Sequence, residues 1–246
     1  IYVREIKTNK IITKEIYDTS GSITFSLDDK YIFYSKLDSN HRARKIYRHE
    51  LGNLDKSDDL IFEEKSEAFT VGINLSSDEK YYFISTSDHN TSEQYYFNVD
   101  EKIPNPKLIK KRRKGILYSI NSWDSKFYNH TNEDAEDFKI DISDSLEKQN
   151  WRTFVAAKNE VLIGSCMFLK NWILRSETSN ALDKLFVKNI NSGIEEEIIF
   201  SDEPVCVPNI SFRQKDRNTD EVYIGYSSPK TPSRVYLYNF STKQKK

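Results

Sequence analysis

An all-β fold, a β-propeller of four-stranded blades, is what this sequence predicts, and three observations predict it. The first is a turn that recurs: Asp28-Asp29-Lys30-Tyr31, Asp78-Glu79-Lys80-Tyr81 and Asp124-Ser125-Lys126-Phe127 each lead from a tight turn into a strand. The second is its period. Registered on the aromatic that opens the second strand of each unit, the chain gives Tyr31, Tyr81, Phe127, Trp172 and Tyr223, at steps of 50, 46, 45 and 51 residues. Four strands in a repeat of that length is blade spacing, whereas a β-sandwich has no reason to repeat one turn at a near-constant interval. The third is composition: 15 Tyr and 14 Phe against a single Met favour pleated sheet over helix.

Taken in order, residues 1–17 read as half a blade, with strands predicted over 1–6 and 10–16 and joined by the polar turn Lys7-Thr8-Asn9. The first whole blade, 22–64, is predicted to hold strands over 22–26, 31–37, 45–51 and 58–64. Blade 67–112 follows with strands over 67–74, 81–87, 92–99 and 106–112, and blade 115–158 with strands over 115–121, 126–131, 137–143 and 151–156. Blade 160–200 repeats the plan over 161–167, 171–176, 184–190 and 195–200, and the last, 205–246, has three strands over 205–211, 221–227 and 234–240. Each blade carries apolar faces that only its neighbours cover, so about five and a half blades make an incomplete ring. The opening on Ile1-Tyr2-Val3 reads as mid-strand, which suggests a part of a longer chain.

Composition excludes several function classes. Lys+Arg 37 against Asp+Glu 38 gives a net charge of -1, which draws the chain neither to nucleic acid nor to an acidic membrane. No apolar run approaches the length of a membrane span. Two cysteines make no disulfide framework, and a reducing, cytoplasmic setting is the expectation. Cys166 and Cys206, flanked by Ser165, Met167, Val205 and Val207, read as buried and inert thiols. Histidines at 41, 49, 89 and 130 are too scattered for a metal site, and no cofactor is expected. The runs at 110–114 (Lys-Lys-Arg-Arg-Lys) and 195–197 (Glu-Glu-Glu) read as solvated strand edges, where charge opposes sheet-to-sheet pairing. His89 beside Asp88 would need a nucleophile nearby to be catalytic, so it reads as a residue that orders its turn. There is no Gly-x-Ser-x-Gly elbow, and glycines total seven.

Four segments carry a family resemblance. They are Phe33-Tyr34-Ser35-Lys36-Leu37-Asp38 continuing to Tyr47-Arg48-His49-Glu50-Leu51-Gly52, then Ser87-Asp88-His89-Asn90-Thr91-Ser92-Glu93, then Thr131-Asn132 with Ala135 and Phe138, and lastly Gly225-Tyr226-Ser227-Ser228-Pro229-Lys230-Thr231-Pro232. In order and spacing they resemble the propeller domain of oligopeptidase B, also called protease II, in the prolyl oligopeptidase family of serine peptidases. Asn90, where the family usually has Asp, and Thr86-Ser87, where a Gly commonly precedes the Asp-His pair, are mild departures.

The resemblance implies a seven-bladed propeller capping an α/β-hydrolase domain that cleaves short peptides after Lys or Arg. On that basis the hydrolase domain lies outside residues 1–246, no catalytic residue is assigned, and the chain alone is expected to be inactive. Its partners are then that hydrolase domain and short peptides. The loops joining second to third strands, expected over 38–44, 88–93, 132–137, 177–181 and 228–233, would share one face and meet the hydrolase domain. The candidates for the domain interface and its gating are Arg48, His49, Asp88, His89, Thr91 and Glu93. The alternative is a freestanding propeller that binds protein or peptide partners without enzymatic role.

Overall fold

The computed structural model describes the chain outside residues 54–56, 200–206 and 212–216, with residues 207–211 described by backbone alone. Cys206 thus lies outside the described residues. Among the described residues there are twenty strands and no helix, hence no helix long and apolar enough to cross a membrane. The chain divides into two units, Ile1–Phe127 with Asp144–Asn150, and Tyr128–Ser143 with Trp151–Lys246.

The first unit opens with a sheet of β1 (Thr19–Phe25), β2 (Tyr31–Leu37), β3 (Ala43–Glu50) and β4 (Asp59–Glu63), antiparallel in the order β1-β2-β3-β4. A second sheet repeats the plan with β5 (Thr70–Leu75), β6 (Tyr81–Ser87), β7 (Ser92–Asn98) and β8 (Lys107–Lys110). The third has β9 (Tyr118–Trp123), β10 (Lys126–Thr131), β11 (Lys139–Ser143) and β12 (Arg152–Val155), in the order β12-β11-β10-β9. In the fourth, β13 (Leu162–Ile163) and β14 (Met167–Leu169) both pair with β15 (Trp172–Ser179), which continues to β16 (Leu182–Asn189) and β17 (Glu195–Glu197). The last is β18 (Val207–Ser211), β19 (Glu221–Ser227) and β20 (Arg234–Asn239). Three of these are the four-stranded meanders that the repeat predicts, while the fourth sheet has five strands and the last has three.

The recurring turn owes its shape to one serine. Ser26 Oγ donates to Asp28 Oδ1 (2.7 Å) and accepts the Tyr31 amide (2.9 Å), while Asp29 takes a positive φ of 55°. Ser76, Asp78, Glu79 and Tyr81 repeat this: 2.8 Å, 3.0 Å and a φ of 58°. The third copy differs. Asp124 and Ser125 alone connect β9 to β10, both at positive φ (50° and 59°), which is the two-residue hairpin whose twist matches that of the strands. Asn180 and Ala181 make the same connection between β15 and β16.

Two predicted elements take another form. Residues 1–17 hold only an isolated bridge, Arg4 to Ile11, and instead pack Ile1, Val3 and Ile16 against Ile32, Tyr34 and Tyr47 of the first sheet. The strand predicted over 161–167 is broken at Gly164, whose amide bonds Ser176 O (2.8 Å). The approach is so close that a Cβ there would lie 2.3 Å from Ser176 Oγ and 3.0 Å from its carbonyl oxygen, so any larger residue would force Ser176 to shift.

Between the first two sheets, Phe33 and Ile46 pack on Val71, Ile73, Tyr82, Ile84 and Phe97, with the Phe33 and Tyr82 rings 4.8 Å apart. Strands so covered are buried on both faces, which is why β2 and β6 read as aromatic and aliphatic runs rather than alternating patterns. In the second unit Leu174, Leu185 and Val187 play the corresponding part against Val222, Ile224 and Phe240.

Candidate functional site

The first unit has two polar ends. Chain direction places the β2–β3 and β6–β7 loops at one end, the loop end, and the β1–β2 and β5–β6 turns at the other, the turn end. A seven-residue strand separates them by about 20 Å.

At the loop end, Asp88 builds its own turn. Its Oδ1 accepts the amides of Asn90 (2.9 Å) and Thr91 (2.7 Å), and these backbone donors hold its carboxyl below the usual carboxylate range. His89 projects exposed from this turn, and the Asp88 carboxylate, not the imidazole, is the group that orders it. Thr91 is buried and accepts the Gly115 amide through Oγ1 (3.1 Å).

Glu93 lies inside β7, opposite Thr86, and is buried. One carboxylate oxygen accepts the Arg112 amide (2.8 Å), and the other accepts the Tyr95 hydroxyl (2.8 Å) and stands 3.7 Å from Arg112 Nε. The same guanidinium donates to Glu64 Oε1 (3.1 Å) from the first sheet and stacks over the Phe69 ring at 4.1 Å. Glu64 is 2% exposed. Burial by itself would lift its carboxyl, but the hydrogen bonds from Arg112 and the Ser66 amide prevail and hold it low. Arg112 Nη1, out of solvent, has no acceptor among the described residues.

The basic run at 110–114 is therefore more than a solvated edge: its central arginine is drawn under the sheet end by two acids while Lys111, Arg113 and Lys114 stay exposed. Glu195 makes a similar exception in the second unit, holding both Nη atoms of the buried Arg175 (2.7 and 2.8 Å). Arg175 also binds Glu177, which Lys158 reaches with 2.7 and 2.8 Å contacts.

Arg48 and His49 stand at the turn end. Arg48 bonds Asp59 (2.8 Å) and the Lys102 carbonyl (2.9 Å), lies over the Tyr31 ring at 4.5 Å, and lines a pocket of about 580 Å³ with Tyr31, Val99 and Glu101. His49, 1% exposed, meets Asp58 through Nδ1 (2.9 Å). Asp58 also accepts the Tyr34 hydroxyl (2.6 Å) and pairs with Lys14 (3.1 Å). Burial opposes the charge on Asp58, but these three partners outweigh it and lower its pKa. The structure thus brings Asp88, His89, Thr91 and Glu93 together and sets Arg48 and His49 apart from them. It adds Glu64 and Arg112 to the first group and Tyr34, Asp58 and Lys14 to the second.

Cys166 is half-buried and not buried as expected, and desolvation pushes its thiol up to about 12, which disfavours the reactive thiolate. Among the described residues no three His, Cys, Asp or Glu side chains are grouped to hold a metal ion.

Residues 1–246 match the family described as the prolyl oligopeptidase N-terminal beta-propeller domain. The chain is similar to Protease 2 of Moraxella lacunata (29% identity over the whole chain and 35% of that protein) and to dipeptidyl aminopeptidase BI of Pseudoxanthomonas mexicana (24%, over 34% of that protein). It spans about a third of the length of these relatives. Among solved structures, oligopeptidase B from Leishmania major superposes with a TM-score of 0.90 at 19% identity, covering 99% of this chain and 36% of that one. A closed form of oligopeptidase B from Trypanosoma brucei with covalently bound antipain gives 0.87 at 21%, covering 95% of this chain and 34% of that one.

Proposed function

Because the chain belongs to the prolyl oligopeptidase N-terminal β-propeller family, we propose that it is the non-catalytic propeller part of an oligopeptidase-B-like serine endopeptidase that cleaves short peptides after Lys or Arg. The observation that carries this reading is the family match across all 246 residues. In it the propeller caps the active site of an α/β-hydrolase domain and restricts access to small substrates.

The loop end of the first unit is the docking face in this reading. Support comes from its chemistry: a turn pre-ordered by Asp88, an exposed imidazole at His89, and a Glu64–Arg112–Glu93 cluster that fixes the sheet end beneath them. A polar loop of a docked domain would meet the exposed His89, Lys111 and Lys114, and making or breaking such charged contacts biases opening against closing. Arg48 and His49, a strand length away, would act on docking only by holding the sheets.

The test is to mix the chain with a separately expressed α/β-hydrolase domain and follow cleavage of a Lys- or Arg-containing peptide. Restored turnover is the expected result. Turnover that ignores the chain would leave the freestanding scaffold, a propeller binding protein or peptide partners, as the better reading.

A further inference from the structure

The strands that carry Glu93 and Arg112 do not pair in even register. Gln94 faces Lys110, yet Tyr95 faces Leu108, so β8 has one residue too many for β7 at this point. A single side chain fills the gap. The Gln94 amide donates to the Tyr118 hydroxyl at 2.8 Å, and that hydroxyl donates to the Lys110 carbonyl at 2.5 Å. Tyr118 comes from β9, the first strand of the third sheet, and is buried.

Its backbone is fixed as firmly as its ring. The Tyr118 amide donates to Ser92 Oγ (2.6 Å), which in turn donates to the Tyr118 carbonyl (2.8 Å). Next along β9, the Ile120 amide donates to Gln94 Oε1 (2.6 Å). Every one of these contacts grips a residue beside Glu93, or Lys110 two positions before Arg112.

We propose that Tyr118 is the positioning residue of the Glu64–Arg112–Glu93 cluster. Its hydroxyl holds β7 and β8 apart at the bulge, and so sets the spacing at which Glu93 receives the Arg112 amide and Arg112 reaches across to Glu64. The idea deepens, and for its functional meaning rests on, the reading of the loop end as a docking face: the third sheet would then tune docking through one hydroxyl.

The experiment compares Tyr118→Phe with Tyr82→Phe, which removes another buried hydroxyl of the same unit, one that donates to the Phe25 carbonyl at 3.3 Å. Two readouts are taken on the chain alone, the NMR titration midpoint of the Glu64 carboxyl and hydrogen exchange of the Arg112 amide. Tyr118→Phe should raise the Glu64 midpoint and speed Arg112 exchange by about tenfold, as a buried donor and acceptor lose their shared partner. Tyr82→Phe should do neither. If Tyr118→Phe leaves both readouts where Tyr82→Phe leaves them, Tyr118 is merely structural and the proposal is overturned.

Should Tyr118→Phe not fold, Ser92→Ala, which frees the Tyr118 backbone, must move both readouts in the same direction, and no movement overturns the proposal equally. With the hydrolase domain added, Tyr118→Phe and Arg112→Gln should weaken docking by similar factors, and the double variant by no more than either. Additive losses would overturn the tuning role. Failure of the unaltered chain to dock would defeat the functional reading alone, because the Glu64 and Arg112 readouts need no partner.

Discussion

Arg112 shows how a residue that is unremarkable in sequence becomes central in the fold. It sits in a run of five basic residues, and its acidic partners lie 19 and 48 positions away, so no local spacing announces them. By contrast the Asp88 turn is legible from its residues, because Asp accepts amides two and three positions ahead of itself. Arg112→Gln leaves Glu64 buried beside a neutral amide. Fully buried pairs broken on one side cost about 3–5 kcal/mol. With its side chain 28% exposed, Arg112 is partly screened, and a loss of about 2 kcal/mol is predicted from urea denaturation. Gly164 is the second informative residue. Gly164→Ala should destabilise by about 1–3 kcal/mol through the clash with Ser176. Adding Ser176→Ala should recover part of the loss and not all of it, because the carbonyl contact remains.

At the scale of elements, the second strands were the most readable. The spans predicted at 31–37, 81–87, 126–131 and 221–227 are those of β2, β6, β10 and β19. Their middles are buried between neighbours, so aromatic and aliphatic runs stand out between turns. First strands were less so. The strand predicted from 115 begins at Tyr118, because Gly115 and Ile116 are spent on contacts to Thr91 and Ser92. The strand predicted over 161–167 is split by a contact from Ser176, a residue of the next strand, that sequence patterning does not encode. The repeated turn predicts a graded effect. Ser76 is 3% exposed and Ser26 more open, so Ser76→Ala should cost about 1–3 kcal/mol and Ser26→Ala less, as measured by thermal unfolding. Equal losses would mean that burial does not grade the effect, and no loss at either would mean that the serine hydroxyl does not organise the turn.

For the whole molecule, acid should destabilise in two stages. His130 is pushed below its ordinary 6.5 by burial, more than its bond to the Ile163 carbonyl (2.7 Å) lifts it. A histidine with a depressed folded pKa contributes stability above 6.5 that is lost as pH falls. Asp58, Glu64 and Glu195 have folded pKa values below their unfolded 3.8, 4.5 and 4.5, so their contribution is present above those values and lost as pH falls through the lowered ones. Urea midpoints should therefore decline as pH falls through 6.5 and again below 4.5, with His130→Gln abolishing the first decline. A midpoint that rises on acidification would contradict the assignment.

The central claim is that the loop end, and not the turn end, meets a hydrolase domain. Its most direct measurement is amide hydrogen exchange of the chain with and without that domain. Slowed exchange over residues 38–42 and 88–93, with 48–50 unchanged, is the predicted result. Protection centred on 27–31 and 98–102, around Arg48 and its pocket, or no protection at all, would contradict it.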